Sequence, residues 1–372
     1  MTRPIARLLS TGLYTPPHSI SNEELVEAYN AFVEKWNADN PDKPPKEASS
    51  AAFIEKASGI KSRYCVEKEG ALDINRMRPK FEQRDDSQLS IMAEIGVAAA
   101  RDAMQAGNIQ AQDIDAVICA ASNMQRQYPA MAVEIQDALG IGGYAFDMNV
   151  ACASAAFGIQ TAIGLLSTGA RRVLMVNPEI CTAHINFKDR DGHFIFGDVA
   201  TAVIIGVADG DAAPGQFDIL DTRLTTQFSN NIRNNMGYLD PATDSVIDLN
   251  DADTDKLFKQ RGRSVFKEVV PLVSEMIAAH LGDNDIPLEN VRRLWLHQAN
   301  LSMNVLIAKR ILGHNPSTDE APVVLDQYAN TSSAGSIIAF HKHRDGLSQG
   351  DIGVISGFGA GYSAGSVIVQ AN

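Results

Sequence analysis

Short runs of apolar residues alternate with longer stretches of helical periodicity along the chain. The short runs have the length and composition of buried strands: Val117–Ala121, Val173–Val176, Ala202–Ile205 and Gly353–Ser356. The longer stretches repeat apolar residues at the spacing of a helix: Ser90–Gln105, Ala155–Ser167 and Arg263–His280. This alternation predicts an α/β fold in which helices cover the sheets.

The order of these elements occurs twice. In the first half, a helix and a strand that begins near Asp115 lead to Cys152, 37 positions after Asp115. In the second half, a helix and a strand that begins near Arg293 lead to Asn330, again 37 positions later. Small residues and a further helix follow each of the two. The repeat predicts two duplicated α/β halves, residues 1–210 and residues 211–372.

Two segments interrupt the repeat. Residues 28–52 are rich in Asn, Lys, Pro and Glu, and residues 67–87 are charged and irregular. Long irregular segments in a compact domain are usually surface features with a functional role. We therefore interpret both segments as insertions on the surface, near a site or an interface.

Composition and charge narrow the functional classes. The 372 residues carry a formal net charge of −13, which disfavours general binding to nucleic acid. The four cysteines lack the spacing of a zinc site, which favours a reduced protein without a bound metal. The N-terminus lacks a signal-peptide pattern, and no apolar run reaches the ~18 residues of a membrane span. These observations predict a cytoplasmic protein that does not enter a membrane.

Three polar side chains stand out as candidates for chemistry. Cys152 lies between the strand-like Ala145–Val150 and a helix of small residues, where the helix dipole would lower the thiol pKa. A buried structural cysteine is the alternative. His297 ends a predicted strand, and Asn330 occupies the turn equivalent to that of Cys152. Two equivalent turns that face one pocket would join a nucleophile to hydrogen-bond donors.

Six short segments together resemble the β-ketoacyl-acyl-carrier-protein synthase III family of the thiolase superfamily. They occur in the family's order over nearly the whole chain outside the two insertions: Gly59–Arg63, Ala151–Ala153, Phe196–Asp198, His297–Asn300, Asn330–Ser332 and Phe358–Gly361. The resemblance implies a thiolase-like fold with five layers in the order α-β-α-β-α. It also implies a homodimer.

The resemblance assigns roles to the candidate residues. Cys152 would take an acyl group from acyl-CoA, and the N–H groups of Cys152 and Gly361 would form the oxyanion hole. Malonyl-acyl-carrier protein would then lose carbon dioxide, and His297 and Asn330 would stabilise the resulting enolate. Attack of the enolate on the thioester would give a 3-oxoacyl-carrier protein. The reaction that the resemblance implies needs no cofactor.

Further residues match positions that contact substrates in the family. Phe53 and Arg190 would enclose the adenine of CoA, and Asn300 is assigned to the same ligand. Tyr128 falls where the family closes the acyl tunnel of the partner subunit. Lys267 and Arg310 would meet the acidic carrier protein, although exposed basic residues are usually only solvated.

The chain also departs from the family pattern. Ala57 replaces an arginine that many members use for a CoA phosphate, Ser302 and Arg263 differ near the carrier-protein entrance, and Ala360 interrupts a run of glycines. With the two insertions, these departures resemble a divergent branch that prefers a medium-chain acyl-CoA, such as octanoyl-CoA, over acetyl-CoA. Condensation of two acyl-CoAs, as in ketone-forming and hydroxymethylglutaryl synthases, is an alternative function. A non-catalytic acyl-binding scaffold is an alternative of a different class.

Overall fold

The computed structural model describes residues 6–237 and 256–372. Its strands are β1 (Ala6–Tyr14), β2 (His18–Ser21), β3 (Ser62–Cys65), β4 (Ala116–Ala120), β5 (Tyr144–Met148), β6 (Arg172–Ile180), β7 (Asp198–Val207), β8 (Phe217–Ser229), β9 (Ile232–Arg233), β10 (Lys259–Gln260), β11 (Val291–Leu296), β12 (Ile352–Gly359) and β13 (Gly361–Ala371). Its α-helices are α1 (Asn22–Asp39), α2 (Ala51–Ser58), α3 (Glu69–Leu72), α4 (Ile91–Ala106), α5 (Met131–Leu139), α6 (Ser154–Ser167), α7 (Gly262–Asp283), α8 (Leu301–Leu312), α9 (Leu325–Tyr328) and α10 (Gly335–Lys342).

Nine strands form one mixed sheet in which the order of the first half recurs in the second. The sheet order is β11-β12-β13-β8-β1-β7-β6-β4-β5. The strands β4, β6, β7 and β1 pair in the same way as β11, β12, β13 and β8. In each set the first two strands are parallel, and the next two pairings are antiparallel. The halves meet where β1 pairs with β8 over three residues, Ala6–Leu8. The first half has one more strand, β5, which pairs with β4 at the edge of the sheet and has no counterpart in the second half.

Alternating side chains of these strands build five layers. In β4, Ile118 points into a central core with α6 and α10, whereas Val117 points to an outer core with α4 and α5. In β11, Trp295 joins the same central core, and Leu294 faces an outer core with α7 and α8. Because successive residues of a strand face opposite sides, each sheet half buries both of its faces. The predicted α-β-α-β-α thiolase-like fold is confirmed.

The predicted elements match the structure with small changes at their ends. The four predicted strands lie in β4, β6, β7 and β12, and the three predicted helices are α4, α6 and α7. Ser90, predicted as helical, is the N-cap of α4 and accepts from the amide of Ala93. The halves predicted at 1–210 and 211–372 include residues 1–5 and 238–255, which lie outside the described residues, and their boundary stays a prediction.

The first predicted insertion is partly regular. Residues 28–39 continue α1, whose Tyr29, Phe32 and Val33 are buried in a satellite core beside Phe194. The second segment, 67–87, contains α3 and is otherwise composed of turns and irregular chain. The helical part of the first segment is anchored because its apolar residues recur on one helix face.

Candidate active site

Cys152 lies in a tight turn that is pressed against the end of β12. The 3-10 turn Ala151–Ala153 precedes α6, and Ala151 has a left-handed backbone, with φ of 47°. A Cβ atom added to Gly359 would lie 2.7 Å from the Cβ of Cys152 and 3.0 Å from its sulfur. Glycine is therefore required at this position of β12 for the close approach of the two chains.

The Cys152 thiol faces three hydrogen-bond donors. The Ser332 hydroxyl lies 3.3 Å from the sulfur, and the backbone amides of Cys152 and Ala360 also point at it. Burial has the larger effect, because it removes water from the thiolate, and it raises the pKa of Cys152 to about 11. The sequence-based expectation of a lowered pKa is wrong for this reason. The resting group is a thiol.

The second amide at the sulfur belongs to Ala360, the residue before the Gly361 that the sequence analysis assigned. Ala360 forms the turn between β12 and β13, and Gly361 begins β13 with φ of 130°. The Cys152 and Ala360 amides both point at the Cys152 sulfur. Convergent amides of this kind can stabilise an oxyanion.

His297 follows β11 and is held by its backbone and by ring packing. Its amide donates to the Ser356 carbonyl at 2.8 Å, and its ring packs edge-on against Phe358, with 5.3 Å between centroids. The side chain is buried, and burial lowers the pKa of His297 to about 4, against an opposing contribution from the Ser332 backbone. The imidazole is neutral at pH 7, which suits a hydrogen-bond donor.

Asn330 is fixed at both its backbone and its side chain. Its amide donates to the Ile195 carbonyl at 2.9 Å, and its carbonyl accepts from Gly197 at 3.1 Å. The side-chain Oδ1 accepts from the Ser332 amide at 2.8 Å. Because this oxygen is engaged, the orientation of the carboxamide is set and its NH2 group points the other way.

The two predicted turns share one backbone feature, an alanine with positive φ directly before the candidate residue. Ala329 precedes Asn330 with φ of 56°, as Ala151 precedes Cys152 with φ of 47°. Left-handed alanines are uncommon, and their recurrence at matching positions supports the duplication that the spacing indicated. Ser332, two residues after Asn330, brings this turn into contact with the Cys152 sulfur.

The site also contains a buried carboxylate that the sequence analysis did not select. Glu179 lies near the end of β6 with 1% of its surface exposed. Burial raises the pKa of Glu179 to about 7, although hydrogen bonds from Ser122 and Ser333 oppose the shift. A sequence offers one weak signal for it, an acidic residue at the end of an apolar strand.

The residues assigned to CoA lie at one surface. The guanidinium of Arg190 lies 4.3 Å from the centre of the Phe53 ring, in direct cation–π contact, so the two side chains would have to separate to admit an adenine between them. The Nε of Arg190 donates to the Ala48 carbonyl at 2.9 Å, within the first insertion. Asn300 caps α8 through its Oδ1 and donates to the Ala57 carbonyl at 2.8 Å. Its observed contacts are thus structural.

A wide cleft of about 1590 Å³ lies beside β5 and extends as far as Asn149. Asn149, which lines it, accepts from the Ala151 amide beside Cys152 at 2.9 Å. Tyr128 stands at its edge with 85% of its surface exposed, next to the lining residues Gln127 and Pro129. Aromatic side chains are enriched at protein–protein interfaces.

The remaining assigned residues lie on the outer layer of the second half. Lys267 is exposed on α7 and Arg310 is exposed near the end of α8. Within residues 6–237 and 256–372, no His, Cys, Asp and Glu side chains cluster as metal ligands would. In the same ranges, no helix combines the length and the apolarity needed to cross a membrane.

A thiol, a neutral histidine and an oriented asparagine, contributed by the two halves of a thiolase-like fold, define a condensing acyltransferase. Sequence models of 3-oxoacyl-[acyl-carrier-protein] synthase III match residues 146–227, and those of its C-terminal region match residues 281–371. A β-ketodecanoyl-[acyl-carrier-protein] synthase of Pseudomonas aeruginosa is 57% identical over 352 residues, which cover 93% of this chain and 99% of the relative. The chain therefore belongs to the 3-oxoacyl-[acyl-carrier-protein] synthase III family.

More distant relatives belong to the same family. A β-ketoacyl-[acyl-carrier-protein] synthase III of Vesicomyosocius okutanii is 27% identical over 370 residues, 98% of either chain. The crystal structure of 3-oxoacyl-(acyl carrier protein) synthase III from Pseudomonas aeruginosa superposes with a TM-score of 0.75 at 21% identity, covering 99% of this chain and 98% of that one. At this identity the structure supports the fold alone.

Proposed function

We propose that the enzyme condenses a medium-chain acyl-CoA, octanoyl-CoA in the first instance, with malonyl-acyl-carrier protein. The products are a 3-oxoacyl-carrier protein, carbon dioxide and CoA. The proposed length of the acyl primer is based on the 57% identity to a β-ketodecanoyl synthase over nearly the whole polypeptide. A ten-carbon product needs an eight-carbon primer, because malonyl contributes two carbons after decarboxylation.

The first half-reaction transfers the acyl group to Cys152. Its sulfur attacks the thioester carbonyl, the acyl–sulfur bond to CoA breaks, and the thiol proton leaves with CoA. The amides of Cys152 and Ala360, rather than that of Gly361, stabilise the oxyanion, since these two already point at the sulfur. The Ser332 hydroxyl assists by stabilising the thiolate as it forms.

The second half-reaction forms the carbon–carbon bond. Malonyl-carrier protein loses carbon dioxide, and the electron pair of the broken bond becomes an enolate. The neutral His297 and the oriented Asn330 donate to the enolate oxygen. The enolate carbon then attacks the Cys152 thioester, and the sulfur leaves and regains a proton. Decarboxylation supplies the carbanion, so the step requires no second cysteine as a base.

The substrates approach from different sides in this proposal. Phe53 and Arg190 hold the adenine of CoA, with Asn300 beside it. The acyl chain occupies the cleft that ends near Tyr128, which reaches into the partner subunit of a cytoplasmic homodimer. Lys267 and Arg310 receive the acidic carrier protein on α7 and α8.

The first experiment measures intact mass after incubation with acyl-CoAs of two to about fourteen carbons, a range that spans plausible pocket lengths. We expect an adduct that is largest near eight carbons and absent in Cys152→Ala. An adduct that persists in Cys152→Ala would overturn the assignment of Cys152 as the nucleophile. A maximum at two carbons would overturn the medium-chain primer.

The second substrate is tested separately. The acylated enzyme is mixed with malonyl-carrier protein or with a second acyl-CoA, and the products are resolved by mass. Formation of 3-oxodecanoyl-carrier protein with release of carbon dioxide is the expected result. Consumption of a second acyl-CoA alone would favour the ketone-forming alternative, and binding without acylation would favour a scaffold.

A further inference from the structure

Glu179 is a buried acid held by hydrogen bonds. It lies one residue before the end of β6 and accepts from the Ser122 amide at 2.9 Å and from the Ser122 hydroxyl at 2.6 Å. No ion pair within residues 6–237 or 256–372 includes Glu179. A carboxylate taken out of water without a cation is costly and is retained where its hydrogen bonds have a use.

The same carboxylate also binds the second half of the chain. Oε1 of Glu179 accepts from the Ser333 amide at 3.2 Å and from the Ser333 hydroxyl. Ser333 directly follows Ser332, whose hydroxyl contacts the Cys152 sulfur and whose amide orients Asn330. Glu179 therefore connects a strand of the first half to the turn that carries the enolate donor.

That turn has a backbone that requires such support. Ala329 and Ser332 both have left-handed conformations, with φ of 56° and 49°. Residues other than glycine hold this conformation only where surrounding contacts determine it. Within the segment Ala329–Ser333, the contacts to Ile195 and Gly197 hold the first part, and the contact to Glu179 holds the last part.

We propose that Glu179 is a positioning residue for the condensation step, whose carboxylate binds Ser333 and so keeps Asn330 and Ser332 aligned with Cys152. The inference rests on the proposed function, because Asn330 is assigned to the enolate of malonyl-carrier protein. Acylation of Cys152 uses the amides of Cys152 and Ala360, which form no hydrogen bond with Glu179, and it depends on this turn only through the Ser332 hydroxyl, whereas condensation depends on it through Asn330. Loss of the carboxylate therefore affects condensation more than acylation.

Glu179→Gln is the direct variant, because glutamine preserves the volume and removes the charge. Transfer from octanoyl-CoA is followed by intact mass, and turnover of the acyl-enzyme with malonyl-carrier protein is followed in single-turnover reactions. We expect acylation within about threefold of wild type and condensation reduced at least tenfold, the size of effect that loss of charge-assisted hydrogen bonds produces.

The pH dependence gives a signature that a merely structural role would not produce. Among the residues that the structure describes, the thiols of Cys119, Cys152 and Cys181 share an electrostatic interaction with Glu179. All three have raised pKa values, whereas Glu179 titrates at about 7. In wild type we expect condensation to fall as pH decreases through about 7, and in Glu179→Gln we expect this decrease to be absent.

Two further variants make the test decisive. Asp198→Asn neutralises a carboxyl that is equally buried and binds Thr182 and Val66, and it should lower stability with the ratio of condensation to acylation unchanged. Ser333→Ala removes the hydroxyl bond to Glu179 and leaves the amide bond, and it should lower that ratio in the same direction as Glu179→Gln but to a smaller extent. It replaces Glu179→Gln if the latter does not fold.

The outcomes separate the two proposals. A wild-type enzyme that acylates but never condenses with malonyl-carrier protein would overturn the proposed function and this inference together. If the wild type condenses, and Glu179→Gln or Ser333→Ala has the same ratio of condensation to acylation and the same pH profile as the wild type, the inference alone is overturned. A selective loss of condensation in both variants, without the same loss in Asp198→Asn, supports it.

Discussion

At the residue scale, the environment of Cys152 shows how burial and hydrogen bonding compete at one thiol. Removal of water raises its pKa, while the Ser332 hydroxyl and two backbone amides lower it. The balance leaves a thiol at neutral pH, which is less exposed to adventitious oxidation than a thiolate would be.

The pKa of Cys152 predicts its reactivity toward a small electrophile. Alkylation by iodoacetamide should rise with pH and reach half of its limiting rate near pH 11, because only the thiolate reacts. Cys65, Cys119 and Cys181 are buried and serve as internal controls in peptide mass mapping. A midpoint near pH 7 for Cys152 would contradict the prediction.

Ser332 provides a second test of the same balance. Ser332→Ala removes a donor worth about 1 kcal/mol, so the pKa of Cys152 should rise further and acylation at pH 7 should slow roughly fivefold. The measurement is the rate of acyl-enzyme formation by intact mass. Ser348→Ala, at an exposed turn, is the control, and an unchanged rate in Ser332→Ala would exclude a role for the hydroxyl.

The stacking of Arg190 on Phe53 predicts a separate effect on binding. In the proposed complex Arg190→Ala removes a partly exposed cation–π contact with the adenine, worth about 0.5–1 kcal/mol, so KM for acyl-CoA should rise about two- to fivefold. The value of kcat should stay constant, since the contact is remote from the reacting carbon. Steady-state kinetics check both constants, and a fall in kcat with constant KM would contradict the assignment to CoA.

At the scale of elements, the site depends on how closely β12 approaches the turn of Cys152. The contact is between backbone and side chain without an intervening layer, because Gly359 carries no Cβ. Because β12 ends in glycine, the two chains can approach this closely. The turn from β12 to β13 then places the Ala360 amide at the sulfur. Packing of the elements thus sets the oxyanion geometry.

Gly359→Ala should therefore affect both fold and activity. Its new Cβ would lie 2.7 Å from the Cβ of Cys152, and the shift needed to relieve the clash should lower the free energy of unfolding by about 1–3 kcal/mol. Acylation should decrease in the same variant. Gly282→Ala in α7 is the matched control, because a Cβ there meets no atom within 4 Å. Equal stability of the two variants would contradict the packing argument.

The sequence predicts the elements well but the contacts between them poorly. Apolar periodicity is local, so the positions of α4, β4 and β12 can be predicted from a few neighbouring residues. Ser332 lies 180 positions from Cys152, and Ser333 lies 154 positions from Glu179. Only the folded chain shows that these pairs touch. For the same reason, the desolvation of Cys152 outweighs the helix dipole on which the sequence argument relied.

At the scale of the whole molecule, buried titratable groups set a pH of greatest stability. Burial lowers the pKa of His184, His193 and His297 to about 4, so between about pH 4 and 6.5 the unfolded chain binds more protons. Stability then increases with pH. Burial raises the pKa of Asp198 to about 6 and of Glu179 to about 7, so the folded chain binds the extra protons and stability decreases with pH.

These opposing contributions predict the greatest stability at about pH 7 to 7.5. Between pH 6.5 and 7.5 the three histidines of the unfolded chain still lose protons, which adds about 1 kcal/mol to the free energy of unfolding and offsets the smaller decrease from Glu179. In Glu179→Gln this offset should be absent, so stability should rise further over the same range. Urea unfolding at pH 4.5, 5.5, 6.5 and 7.5 checks both statements, and a wild type that is most stable at pH 4.5 would contradict them.

The exposed connection 208–216 between β7 and β8 links the half that carries the thiol to the half that carries the histidine and the asparagine. A break in this connection would divide one active centre between two polypeptides, each with its own share of the shared central core. Neither fragment alone would have a complete set of reacting groups. Turnover would then report the reassociation of the two fragments, and the enzyme could serve as a split reporter of their contact.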